Sequence, residues 1–127
     1  LDARRDWGFA RDYVDGMYRM LQANEADTFV LATNKMHTVR DFVTWAFAAA
    51  GKDLIFEGSG VDELGYEKST GEVRVRVNPV YFRPAEVDLL IGDYQKALDV
   101  LGWAPEVTAQ ELCQMMVESD LSRDGML

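Results

Sequence analysis

The 127-residue sequence is short of the residues that most often carry chemistry. Cys113 is its only cysteine, so no disulfide can form within the chain, and a reducing compartment such as the cytoplasm fits. It stands among Leu112, Met115 and Met116 in a helical pattern, which reads as packing and not as a reactive thiol. His37 is the only histidine, which excludes a multi-histidine metal site; it reads as a solvated loop residue. No apolar run approaches the ~20 residues of a membrane span. No signal peptide or basic amphipathic targeting segment is read at the start. Positive charge is also scarce: 13 Lys and Arg stand against 22 Asp and Glu, a net charge of −9, which argues against non-specific binding to nucleic acid.

Nucleotide and metal motifs are missing too. No G-x-G-x-x-G follows a strand and there is no P-loop. The Tyr-x-x-x-Lys pair used as acid and base by many short-chain dehydrogenases is not met: four residues after Tyr13 comes Met17, and Lys96 follows Tyr94 by two. Asp62, Glu63 and Glu67 read as an acidic surface loop, not a metal site. By itself the chain lacks the parts for redox chemistry, so no catalytic residue is assigned.

What is present is an ordinary globular composition, 48% hydrophobic and 28% charged, enough for a single domain over residues 1–127 with one core. Residues 5–9 read as a strand or extended segment. Val14, Met17, Tyr18 and Leu21 recur at i, i+3, i+4 and i+7, which predicts an amphipathic helix with that stripe in the core. Residues 28–32 form a β-prone run. Thr38 and Asp41 make a capping box for a helix carrying Val39, Phe42, Val43 and Ala46 and stopped by Gly51. Residues 53–57 predict a strand, residues 58–71 a loop, and Val73, Val75 and Val77 a second strand alternating with Arg74 and Arg76. Asp93 is the expected N-cap of a short helix closed by Gly102. Thr108 and Glu111 cap a last helix whose core face is read as Leu112, Met115 and Met116. The sum is a mixed α+β (α/β) domain with about four helices and four or five short strands.

One stretch stands out, Tyr81-Phe82-Arg83-Pro84-Ala85-Glu86-Val87-Asp88. Pro84 pushes Arg83 out of the helical region, so the guanidinium is held on extended backbone, where its planar fork suits a phosphate or carboxylate. Glu86 can accept hydrogen bonds from hydroxyl or amide donors of the same ligand. The competing reading is a surface ion pair worth roughly 0–1 kcal/mol.

A resemblance bears on that choice. Residues 5–14 (RDWGFARDYV) resemble the R-D-W-G-H-A-K-D-Y-V segment of the GDP-mannose 4,6-dehydratases. The runs at 29–33, 37–43, 81–88, 90–93 and 101–105 are similar to later segments of that family in the expected order. Phe9 stands where the family usually has histidine, and Val80 where a basic residue commonly precedes Tyr-Phe-Arg-Pro. The family belongs to the extended short-chain dehydrogenase/reductases, and the resemblance covers only its C-terminal, substrate-binding portion. It implies that Arg83 and Glu86 hold the GDP moiety and that Arg5 lies on the diphosphate side. It implies NADP as cofactor in the complete enzyme and none bound by this segment alone. The implied reaction takes hydride from C4 of the mannose, loses water across C5–C6 and returns the hydride to C6, giving GDP-4-dehydro-6-deoxy-mannose. The expected partners are a GDP-sugar and further copies of the chain (a homo-oligomer), with no nucleic acid, membrane or metal. Another nucleotide-sugar epimerase or reductase, or a non-catalytic nucleotide- or protein-binding module, remain the alternatives.

Overall fold

The computed structural model describes residues 1–83 and 90–125. Within them lie four α-helices and five short strands in two antiparallel sheets, a mixed α+β arrangement. β1 (Arg4–Arg5) pairs with β2 (His37–Thr38) in a two-residue ribbon, Arg4 opposite Thr38 and Arg5 opposite His37. Between them runs α1 (Ala10–Gln22). α2 (Val39–Ala49) follows β2 directly. Its start is set by the expected box: the Thr38 hydroxyl accepts from the Asp41 N–H, and the Asp41 carboxylate accepts from the Thr38 N–H. That backbone bond is the main reason the Asp41 carboxyl lies below its ordinary range. Gly51 takes φ +73° and ends the helix, as the sequence predicts.

The second sheet is a meander of β3 (Leu54–Glu57), β4 (Leu64–Glu67) and β5 (Val73–Arg76), with β4 in the middle. α3 (Gln95–Leu101) lies against α1 and closes on Gly102, φ +63°. α4 (Ala109–Arg123) carries the full Thr108–Glu111 box and packs along α2. The core gathers Ala32, Ala97, Trp103, Ala109 and Cys113. The Cys113 thiol lies 3.5 Å from the Phe42 carbonyl, and burial pushes its pKa up, which suits packing and not reactivity.

Several expectations need correction. Residues 64–67 are not loop but the central strand of the meander. Gly65 and two glutamates disguise it in the sequence. A Cβ on Gly65 would come within 2.9 Å of the Phe56 ring and 3.0 Å of Val75 Cβ, so only glycine lets the flanking strands close. The buried Glu67 is neutralised where it sits: Lys52 donates at 3.0 Å, Ser69 at 2.9 Å and Arg74 at 2.7 Å. Glu63 is likewise buried, so these acids are internal counter-ions and not a surface loop.

Residues 28–32 form no ladder, because among the described residues no strand runs beside them; Val30 and Ala32 instead back onto Gly92. Asp93 does not cap α3 as its N-cap: that position is Tyr94, and the Asp93 carboxylate accepts from the Gln95 N–H two residues on, at 2.9 Å. In α4 the buried positions are Ala109 and Cys113, while Met115 and Met116 are about half exposed.

The largest departure is α1. Val14, Met17, Tyr18 and Leu21, the stripe expected in the core, are all exposed, Leu21 at 81%. The helix is seated instead by Asp12 and Gly16, its buried residues. Periodicity shows that a helix has an apolar face; it cannot show which surface covers that face.

Candidate functional site

The segment around Arg5 divides its labour residue by residue. Asp6 accepts from the Thr33 N–H at 2.9 Å, the Thr33 hydroxyl at 2.6 Å and the Asn34 N–H at 3.2 Å, holding the loop in which Asn34 takes φ +58°. Trp7 meets the Phe42 ring at 5.0 Å between centroids. Gly8 leaves room for the Tyr13 ring, since a Cβ there would stand 2.0 Å from the Tyr13 hydroxyl oxygen and the ring would have to shift. Asp12, buried, accepts from the Glu106 and Val107 N–H groups at 3.0 and 3.1 Å. Tyr13 stacks beside Trp103, and burial first, then Asp6 and Asp12, raise its pKa. These residues are used up by the fold.

Arg5 is not seated in the core. It is exposed on β1, and one guanidinium nitrogen donates to the Arg4 carbonyl at 2.7 Å. Its cross-strand neighbour His37 is half-buried with its ring edge-on to Trp45, 5.0 Å between centroids, and so is not the solvated loop residue read from sequence. His37, Thr33, Lys35, Tyr94 and Thr108 line a small cavity of about 90 Å³.

Arg83 is also exposed, directly after a turn in which Tyr81 N–H donates to Asn78 O at 3.1 Å and Phe82 N–H to Pro79 O at 3.3 Å. The Phe82 ring faces Gly60, 3.9 Å from where a Cβ would stand. Glu86, the third residue of the expected set, lies outside the described residues. Arg74, a possible further cation, is committed to Glu67 and Glu72. A larger depression of about 640 Å³ beside Arg19, Asp27, Phe29 and Val100 is a poorer phosphate site. Its lining arginine, Arg19, is already bound to Asp15 and to the Leu101 and Gly102 carbonyls.

Sequence reasoning missed a charge cluster centred on Arg40. Arg40 donates through Nη1 to Asp2 at 2.6 Å and through Nε and Nη2 to a single Glu63 oxygen at 2.8 and 2.6 Å, with its guanidinium 5.8 Å from the Phe56 ring centroid. Asp2, then Glu63, raise the Arg40 pKa, and Arg40 lowers that of Asp2. The other Glu63 oxygen, buried, accepts no hydrogen bond among the described residues. The partners are 38 and 23 residues from Arg40, beyond the reach of any local motif. Among the described residues no group of three or more His, Cys, Asp or Glu could hold a metal ion.

The comparisons with known proteins agree in direction. The family model described as GDP-mannose 4,6 dehydratase matches residues 1–116. A Drosophila melanogaster GDP-mannose 4,6 dehydratase is 50% identical over 121 residues, covering 95% of this chain and 31% of its own length. A Homo sapiens GDP-mannose 4,6 dehydratase is 48% identical over 121 residues (95% and 32%), and one from Sinorhizobium fredii 49% over 122 (96% and 35%). The chain thus spans about a third of the length of the curated relatives it matches. Two solved structures share the fold. RMD from Pseudomonas aeruginosa complexed with NADPH superposes with a TM-score of 0.69 at 18% identity, over 97% of this chain and 34% of that one. UDP-glucose 4-epimerase from Bifidobacterium longum, in complex with NAD+ and UDP, gives 0.68 at 17%, over 97% and 31%.

Proposed function

The chain belongs to the GDP-mannose 4,6-dehydratase family, and from that premise we propose that residues 1–127 are the GDP-sugar-binding portion of such an enzyme, with Arg5, Arg83 and Glu86 holding the nucleotide. The observation that carries this reading is the division of labour in residues 5–13. Asp6, Trp7, Gly8, Asp12 and Tyr13 hold loops and helices of the fold, and that framework sets Arg5 on a strand at the surface, opposite His37 and beside the start of α2. A diphosphate carries two negative charges, and two arginine forks suit it, each charge-assisted bond contributing about 1.5–3 kcal/mol. To Glu86 the resemblance assigns the ribose hydroxyls.

The residues present do not fit a dinucleotide cofactor. Among the described residues the strands form one antiparallel ribbon and one meander, and no G-x-G-x-x-G occurs in the sequence. In the complete enzyme NADP supplies the hydride chemistry; the part assigned to this chain is to grip GDP, so that binding energy remote from the sugar ring positions it. Lyase activity therefore belongs to the joined enzyme. No helix among the described residues is long and apolar enough to cross a membrane; a cytoplasmic location is part of the proposed reading. The uncovered stripe of α1 supports the expected homo-oligomer.

Calorimetry of the chain with GDP, GDP-mannose and UDP-glucose tests the reading. Guanosine-selective binding is expected. Equal binding of UDP-glucose would point to another nucleotide-sugar enzyme of this fold, and binding of none would reject the nucleotide role.

A further inference from the structure

We propose that Arg40 is the positioning residue of this nucleotide site, setting the strand that carries Arg5 relative to the turn that leads into Arg83. The inference rests on the GDP-sugar reading above and goes beyond it, because Arg40 belongs to neither arm.

Arg40 sits in the first turn of α2 and grips the N-terminal segment twice. Its backbone N–H donates to the Leu1 carbonyl at 3.1 Å, beside Val39 N–H to Ala3 at 3.0 Å, and its Nη1 donates to Asp2 at 2.6 Å. Asp2 is three residues before Arg5. The remaining edge of the same guanidinium closes on Glu63. Glu63 directly follows the 3₁₀ turn Gly60–Asp62, and Phe82 Cζ lies 3.9 Å from where a Cβ on Gly60 would stand. Phe82 is the residue before Arg83. One planar cation thus spans two chain stretches that have no strand pairing with each other, and each leads to an arginine of the proposed set.

Stability alone is a poor account of this cluster. Glu63 is 2% exposed, yet one of its oxygens has no donor among the described residues. An ion pair whose acid is buried and whose arginine is half-buried is readily matched by apolar side chains of similar volume. What apolar side chains cannot do is fix two partners in one plane, whereas a guanidinium with five donors can. Lysine, a single ammonium on a flexible stem, cannot reproduce that brace.

The test is GDP binding by calorimetry on the whole chain, alongside thermal unfolding, for Arg40→Lys and for the apolar double variant Arg40→Met/Glu63→Met, each alone and with Arg5→Ala. The double variant removes the buried Glu63 carboxylate together with its half-buried partner, so no buried charge is left unpaired. Expected is a roughly tenfold loss of GDP affinity in both, with the double variant's melting point little changed, and the loss largely vanishing in the Arg5→Ala background because Arg40 acts through Arg5. Unchanged affinity in a folded double variant, or an equal loss with and without Arg5, would overturn the proposal while leaving the nucleotide reading standing. Unfolding of both variants would assign Arg40 to stability and overturn it too. A wild-type chain that binds no GDP would overturn the nucleotide reading, and this proposal with it.

Discussion

The Trp103 indole N–H donates to the backbone carbonyl of Asp12, 91 residues earlier, at 2.7 Å. The bond ties the turn after α3 to the first turn of α1, with Tyr13 stacked and Tyr94 edge-on against the same indole. Asp12 returns the contact by accepting from Glu106 and Val107. Two short sequence runs, 5–14 and 101–105, are thereby one structural unit.

Trp103→Phe should therefore destabilise the chain by about 2–3 kcal/mol, from one lost hydrogen bond and the void left by the smaller ring. Urea unfolding followed by circular dichroism measures it. A change below 0.5 kcal/mol would mean that this junction does not hold the two runs together.

Gly65→Ala should destabilise as well, by about 1–3 kcal/mol, although alanine is ordinarily the better strand residue. The new methyl meets Phe56 and the Cβ of Val75, which cannot swing away. Gly71→Ala is a useful contrast: it has open space but φ +72°, so any cost there reports backbone strain alone. The two unfolding curves separate crowding from conformation.

Acid stability should depend on Glu67. Hydrogen bonds from Lys52, then Ser69 and Arg74, lower its pKa from 4.5 to about 2. A carboxylate depressed in the folded state binds fewer protons there than in the unfolded chain. Its contribution is thus fully present above pH 4.5 and lost as pH falls towards about 2. Glu67→Gln should lower stability at neutral pH and flatten the decline over that window. A variant with the wild-type acid limb would show that Glu67 does not govern it.

Arg83→Ala should weaken GDP binding by about 1.5–3 kcal/mol with no change in melting temperature, since the side chain is exposed and outside the core. Parallel calorimetry and thermal scans decide it. The isolated chain mixed with NADP and GDP-mannose should give no dehydrated product, because its sequence holds no Tyr-x-x-x-Lys pair; product formed by the pure chain would contradict this.

The uncovered face of α1 should make the isolated chain self-associate as concentration rises. Met17→Lys/Leu21→Lys should abolish that while shifting stability by no more than about 0.5 kcal/mol, because both side chains are already in solvent. Sedimentation velocity at several loadings reads the outcome. A monomer at every loading would show that the stripe does not pair copies of the chain.

Local rules in the sequence were enough for several elements. Thr38 with Asp41 and Thr108 with Glu111 set where α2 and α4 begin, because a capping box needs only residues three apart. Gly51 and Gly102 set where α2 and α3 stop, because only a left-handed residue turns the chain there cheaply. The alternation of Val73 and Val75 with Arg74 and Arg76 was sufficient for β5. Arg5 and Arg83 are proposed from the sequence, since a cation beside a characteristic run is visible without coordinates. Tertiary structure decided the rest. It made a strand of 64–67 by bringing two flanking strands to Gly65, left 28–32 without a ladder, turned the α1 stripe to solvent, and brought Asp2 and Glu63 to Arg40. Each of these depends on which surface meets which across tens of residues, and hydrophobic period and local spacing carry no record of that partner.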